Sequence, residues 1–168
     1  MNRLAVLILI ISISADSCTK TTENIDISGK WYTFSEDYDY TEYEITSNEI
    51  HPFSHSMGNM AFSDYEIKGD TLTCISMQYS KAIRKVSDSI FIMTNADKVD
   101  SFFKLDESVI TFHEINYQDD SIFNIFYEQF TERAYNCWIK YGYFTEEELQ
   151  QSFIDTNTIE ETLIPINR

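Results

Sequence analysis

The chain has 168 residues, enough for a single domain or for one domain with an appendage. It carries 28 Asp and Glu against 12 Lys and Arg, and a formal charge of −16 repels nucleic-acid phosphates and anionic lipid surfaces, so we expect no nucleic-acid partner. A content of 43% hydrophobic and 15% aromatic residues provides a core, while four Gly and two Pro exclude collagen-like and Gly-rich low-complexity chains.

The amino terminus has the pattern of a secretory signal peptide. Arg3 supplies a positive charge before an apolar run from Leu4 to Ile13. That run is shorter than the roughly 20 residues that a membrane-spanning helix needs, and it fits a signal-peptide core. Because the small residues Ala15 and Ser17 stand at −3 and −1 before Cys18, this segment resembles the lipobox of bacterial lipoproteins.

The lipobox resemblance implies how the chain is anchored. It makes residues 1–17 a signal peptide, Cys18 the acylated new amino terminus, and residues 18–26 the lipidated end and its tether. Two acyl chains hold a protein stably on a membrane. Thr19 stands where the family carries its inner-membrane retention Asp, which implies an outer-membrane location on either the periplasmic or the surface face. The alternative is ordinary cleavage after Ala15 or Ser17, which leaves Cys18 unmodified.

Two further cysteines remain after such processing, in a compartment that permits disulfides. Cys74 falls on the apolar face of a predicted strand, and Cys137 adjoins Trp138 on a predicted helix. We therefore expect buried free thiols. A single bridge between them is the alternative.

Short β-type segments follow one another from Ile27 to about Ile115, separated by polar turn residues. In the clearest hairpin, Gly69-Asp70 joins Tyr65–Lys68 to Thr71–Cys74, and Gly69 supplies the positive φ of a two-residue turn. Such short links cannot be parallel crossovers, so the pattern predicts an antiparallel meander. The other predicted strands span residues 29–35, 40–46, 50–56, 60–68, 83–86, 89–94, 101–105 and 109–114.

A meander of eight or nine strands has exposed edges unless it closes into a barrel. A barrel of about eight strands is either filled by side chains or holds one small ligand. Gly29-Lys30-Trp31 at its start, the acidic strand Thr41–Ile45 and the Gly-Asp-Thr-Leu hairpin resemble the lipocalin-like domains of bacterial lipoproteins. The resemblance implies that Gly29 turns the chain at the closed end and that Trp31 plugs the bottom of the core.

Beyond Asn116 the apolar period changes to about 3.6, which predicts a helix capped at Asp120 or Ser121 and ended by Gly142. Thr145 and Glu148 form a capping-box pattern for a second helix. The predicted fold is thus mainly β: an antiparallel meander over 27–115 closed into a lipocalin-like barrel of about eight strands, followed by two packed C-terminal helices within 116–168. The predicted buried stripe of the first helix is Phe123, Phe126, Phe130, Ala134, Cys137 or Trp138, and Tyr141.

No motif indicates catalysis. His51 and His55 would lie ~13 Å apart on an extended strand, too far to share a metal ion, unless Pro52 bends the chain. We expect no metal site at these residues or at His113. The chain lacks Gly-x-Ser-x-Gly, P-loop and dinucleotide motifs, so we expect neither enzymatic activity nor a cofactor.

Two functions fit these patterns. The first is an envelope protein that binds a small apolar or glycan-type ligand in its barrel. The second is an interaction or scaffold lipoprotein with a filled barrel that docks an envelope protein through a helix face or through the acidic run Glu36–Glu44, which holds five carboxylates and three tyrosines. Strand alternation selects the candidate pocket residues Trp31, Phe34, Tyr43, Tyr65, Leu72, Phe91 and Phe103.

Overall fold

A computed structural model describes residues 25–35, 39–115 and 119–148. The predicted signal peptide, Cys18 and most of the tether lie outside these ranges. Part of the acidic run and the tail after Glu148 lie outside them as well. No helix among the described residues is long and apolar enough to span a bilayer.

Within the described part of the chain, nine strands form one antiparallel sheet. The predicted Gly69 hairpin forms with Tyr65 opposite Cys74, and Gly69 has a φ of 64°. The strands are β1 (Gly29–Phe34), β2 (Tyr40–Ile45), β3 (Glu49–Ser54), β4 (Gly58–Asn59), β5 (Ser63–Lys68), β6 (Thr71–Cys74), β7 (Tyr79–Ser87), β8 (Ile90–Thr94) and β9 (Val99–Lys104).

The sheet closes on itself. Its order is β2-β1-β9-β8-β7-β6-β5-β3-β4, and pairing of β2 with β3 joins eight of the strands into a barrel. The two-residue β4 pairs only with β3 and lies outside the ring. The mainly β, closed eight-strand antiparallel barrel predicted from the sequence is therefore confirmed, and it is compatible with a lipocalin-like fold.

The barrel has a filled end, which we call the closed end, where the chain enters β1. Gly29 adopts a φ of 124°, and the Trp31 indole Nε1 donates a hydrogen bond of 2.8 Å to the Ile27 carbonyl. The Trp31 ring packs edge-on against Phe91, with ring centroids 4.7 Å apart. The inner core comprises Ile27, Trp31, Ile45, Ile50, Tyr65, Leu72, Cys74, Ile83, Phe91, Met93 and Phe102.

A long helix, α1 (Asp120–Lys140), packs on the outer wall of the barrel. Its N-cap is Asp119, one residue before the predicted cap, because this side chain accepts from the Ser121 and Ile122 N–H groups. Gly142 ends the helix with a φ of 74°, as predicted. The predicted stripe is buried except that Phe123 is half-buried and Tyr141 is 41% exposed. The outer core comprises Tyr40, Phe53, Ile115, Phe126, Phe130, Ala134 and Cys137.

The second helix begins at residues 146–148. The predicted capping box is formed: the Thr145 N–H donates to the Glu148 carboxylate over 2.8 Å, and the Glu148 N–H donates to the Thr145 hydroxyl over 3.2 Å.

Both described cysteines are free and buried, as expected. Cys74 belongs to the inner core and Cys137 to the outer core, so the barrel wall lies between them. Burial raises the pKa of the Cys137 thiol to about 11, which keeps it protonated and unreactive at neutral pH.

The predicted strand over residues 109–114 is wrong. Residues Phe112–Glu114 form a 3-10 helix instead. The Thr111 N–H donates to the Glu114 carboxylate over 2.8 Å, and Lys30 pairs with that carboxylate and donates to the Val109 carbonyl. These contacts fold the segment against β1 as a capped turn, which removes its backbone from any ladder.

Candidate ligand site at the open end of the barrel

A recess of about 1510 Å³ opens to solvent at the end of the barrel opposite Trp31, which we call the open end. Its volume exceeds the roughly 300–1,000 Å³ of a typical ligand pocket. Inner-face residues and residues outside the barrel both line it. The inner-face group comprises Thr33, Thr41, Tyr43, Lys81 and Asp100.

The recess is lined on one side by the ends of β1 and β9. These strands pair only through Trp31 with Lys104 and Tyr32 with Phe103. Beyond that point the ladder stops, and Thr33 from one strand and Val99–Ser101 from the other both line the recess. The ladder between β1 and β9 is therefore formed only in the part of these strands nearer the closed end.

An ion pair lies on the inner face of the barrel just above the inner core. Lys81 stands opposite Leu72, and Asp100 stands opposite Met93; both partners belong to the inner core. Residues opposite each other in a sheet share a face, so both charged side chains point inward. The Lys81 Nζ lies 2.9 Å from the Asp100 Oδ2, with side chains 20% and 19% exposed.

Electrostatics at this pair favours the ionised carboxylate. A second amine, from Lys98, lies 3.3 Å from the other Asp100 oxygen. Burial by itself would raise the pKa of Asp100, but the hydrogen bonds and charges of Lys81 and Lys98 outweigh it and hold the pKa below its usual range. Burial also raises the pKa of Tyr43, so its hydroxyl is a neutral donor and acceptor in the recess.

Aromatic side chains form the outer margin of the recess. His55 packs edge-on against Trp138, with ring centroids 4.7 Å apart, and Tyr135 and Phe144 also contact Trp138. Burial lowers the pKa of His55, and nearby Asp39 opposes that shift only in part. The imidazole is therefore neutral at pH 7.

Six of the seven predicted pocket residues lie in the inner core or line the recess. Trp31, Leu72, Tyr65 and Phe91 lie in the inner core below the recess. Tyr43 lines the recess from inside, and Phe34 lines it from the outer-core side, where its ring stacks on Tyr141.

Phe103 does not point into the barrel, contrary to the prediction. Successive strand residues point to opposite faces, and its neighbour Phe102 occupies the inner core. The Phe103 ring instead contacts Tyr32, which packs against the outer core. Sequence reasoning missed Lys81 and Asp100 because the predicted strands began at residues 83 and 101, whereas the strands of the structure begin at Tyr79 and Val99. The signal that could have found them is their spacing of two residues from Ile83 and Phe102.

The three histidines are divided between two places. The rings of His51 and His113 stack with centroids 3.9 Å apart on the outer wall, whereas His55 lies beside Trp138. Among the residues that the structure describes, no group of three or more His, Cys, Asp or Glu side chains is placed to hold a metal ion.

The described carboxylates of the acidic run Glu36–Glu44 form hydrogen bonds or an ion pair with other residues of the chain. Glu42 is 2% exposed and pairs with Arg133, with Nε 2.6 Å from Oε1. Asp39 accepts from the Ser54 and Ser56 hydroxyls over 2.8 and 2.9 Å. Glu44 accepts from the Thr111 hydroxyl. These three carboxylates are therefore engaged in holding the fold.

Comparison of the chain with protein-family models, curated proteins and solved structures finds no match. The lipocalin-like description consequently applies to the barrel architecture alone.

Proposed function

We propose that the protein is a lipid-anchored protein of the bacterial envelope that binds a small ligand at the open end of its barrel. The observation that carries this proposal is the recess of about 1510 Å³, bounded below by a filled core. Ligand sites are concave and combine apolar walls with a few placed polar groups. The recess has both, in its aromatic margin and in the Lys81–Asp100 pair.

The anchor and the recess fit one geometry. The proposed acylated Cys18 precedes the chain that enters the barrel at the closed end, beside Trp31. The open end lies at the opposite end of the barrel. Attachment at the closed end leaves the open end unobstructed by the point of attachment.

The scaffold alternative receives less support. It requires a filled barrel, whereas only the closed end is filled. Its docking route through the acidic run also loses support, because Asp39, Glu42 and Glu44 are bound internally, whereas its route through a helix face is unaffected by these contacts.

Ligand binding is tested by blocking the recess. Thr33 lines it from the inner face of β1, so Thr33→Trp fills it. Thr73 alternates with the inward Leu72 and Cys74, so Thr73→Trp adds the same ring on the outside. Native mass spectrometry of protein purified from its own host should show a co-purifying small molecule on the wild type and on Thr73→Trp, and none on Thr33→Trp. An adduct retained equally by all three proteins, or by none, contradicts binding in the recess.

Anchoring is tested separately. Replacement of Cys18 by Ser removes the proposed acylation site, and the variant should leave the membrane fraction for the soluble fraction. A variant that still sediments with membranes contradicts the lipobox interpretation.

A further inference from the structure

The inner surface of the recess carries charges where the barrel could hold apolar side chains. Lys81 is followed on the same face of β7 by Ile83, and Asp100 is followed on the same face of β9 by Phe102. Apolar residues of similar volume would pack at least as well there, because a buried ion pair contributes little net stability. The barrel therefore does not depend on this pair, which is placed where a ligand in the recess could reach it.

We propose that the ligand is a hydroxyl-rich, glycan-type molecule that hydrogen-bonds to Lys81 and Asp100, and that an acyl chain is excluded from the recess. The proposal deepens the proposed function and rests on it. It selects one of the two ligand classes that the sequence left open.

Hydrogen-bonding capacity argues for hydroxyl groups. The Lys81 ammonium has three N–H donors, and its contact with Asp100 uses one of them. The Asp100 carboxylate has further lone pairs beyond those that face the two lysines. A sugar hydroxyl both donates and accepts, so adjacent hydroxyls can satisfy an amine and a carboxylate at once. A methylene chain would remove water from both charges and return no hydrogen bond, which is costly.

The remaining lining suits the other surface of a sugar ring. Tyr43 stands inside the recess and the half-buried Tyr135 at its margin, whereas the Phe34 ring is stacked on Tyr141 and Trp138 is only 7% exposed. Aromatic rings present flat apolar faces to C–H groups, and tyrosine adds a hydroxyl. The recess is larger than a typical small-molecule pocket, so it has room for more than one sugar ring.

The experiment uses the chain carrying Cys18→Ser, so that no detergent competes with the probes. Glycan binding is measured on a printed array of bacterial glycans and then by calorimetry. Apolar binding is measured with the neutral fluorescent probe 1-N-phenylnaphthylamine. The variants are Lys81→Met/Asp100→Leu, which replaces the pair with apolar groups, and Lys81→Gln/Asp100→Asn, which keeps neutral hydrogen-bonding groups. Thr33→Trp blocks the recess, and Thr73→Trp is its control.

The parent protein should bind an array glycan and bind the apolar probe weakly. The Met/Leu variant should lose at least tenfold in glycan affinity and gain at least tenfold in probe affinity. The Gln/Asn variant should bind the glycan more tightly than the Met/Leu variant. Thermal unfolding of each variant checks that it is folded. If the Met/Leu variant is unfolded, the glycan affinity of the Gln/Asn variant and the parent's preference between glycan and apolar probe decide the inference.

Two other results separate the possible failures. A parent that binds the apolar probe tightly, binds no array glycan and loses the probe in Thr33→Trp overturns the glycan inference and leaves the proposed function standing. If Thr33→Trp binds both the glycan and the apolar probe as the parent does, the proposed function itself is overturned.

Discussion

The two cores of this protein are built in different ways. The inner core consists of apolar side chains from alternate strand positions, with Trp31 closing one end. The outer core, between the barrel and α1, packs aromatic rings around a charged contact: Arg133 binds Glu42 through both oxygens, and the Tyr40 hydroxyl donates to Glu42 over 2.8 Å. The inner core thus has no ion pair at its centre, whereas the outer core encloses a matched pair of charges among its aromatic rings.

The largest expected effect is at the closed end. Trp31 is 3% exposed, and Trp31→Ala should lower the free energy of unfolding by about 3–5 kcal/mol through lost burial and a cavity. Phe103→Ala is the control, because Phe103 is an aromatic residue of the same barrel that is only half-buried on its outer wall. Denaturant unfolding measures both. Equal losses would contradict the division between a filled interior and a less critical outer wall.

The next largest loss of stability is expected at the ion pair between Arg133 and Glu42 in the outer core. Arg133→Met leaves the Glu42 carboxylate buried without its cationic partner and should cost about 3 kcal/mol. Adding Glu42→Leu removes the unpaired charge and should recover most of that loss. A double-mutant cycle by denaturant unfolding gives the coupling. If the double variant is as unstable as Arg133→Met, packing of the Arg133 stem and not its charge holds the helix.

The capping box after α1 should contribute less. Thr145→Ala removes the side-chain acceptor of the Glu148 N–H and should lower stability by about 0.5–2 kcal/mol. Thr145→Ser retains the acceptor and serves as the control. Thermal melts that coincide for all three proteins would show that this helix start does not contribute to the cooperative unfolding of the outer core.

The smallest effect is a pH dependence at His55. Its pKa is lowered in the folded state by burial, so the unfolded chain binds more protons as the pH falls. Its contribution to stability is complete above the unfolded pKa of about 6.5 and is lost as the pH falls through the folded pKa. The C–H resonances of the ring in an NMR titration should give a midpoint below 6.5.

The matched variant is His55→Gln, which should lose less stability than the wild type between pH 7 and pH 5. A titration midpoint above 6.5 would mean that the Asp39 charge outweighs burial at the outer-core margin.

The inner core was largely predictable. Alternation along β1, β5, β6 and β8 placed Trp31, Tyr65, Leu72 and Phe91 inside, because a strand sends successive side chains to opposite faces. Alternation failed in β9, where Phe102 and Phe103 are adjacent and both apolar, so the pattern did not indicate which one faces inward. The ladder with β8 decides this, since Phe102 lies opposite the buried Phe91.

The outer core and the recess were not predictable in the same way. Glu42 and Arg133 are 91 positions apart, and nothing local marks them as partners. The Lys81–Asp100 pair joins β7 and β9, which lie on either side of β8, over a separation of 19 positions. Contacts of this kind depend on strand register and on where the helix packs, and neither is marked by the local sequence pattern.

By itself the sequence determined the antiparallel meander, the bounds of the long helix to within a residue or two and the capping box at Thr145, because each depends on residues close together in the chain. Only the tertiary structure decided where the ladder between β1 and β9 stops, which charged side chains turn inward, and how a filled closed end gives way to an open recess. The physical reason is that a side chain's environment is set by the elements that pack around it, and closure of the barrel brings together elements that are distant in the sequence.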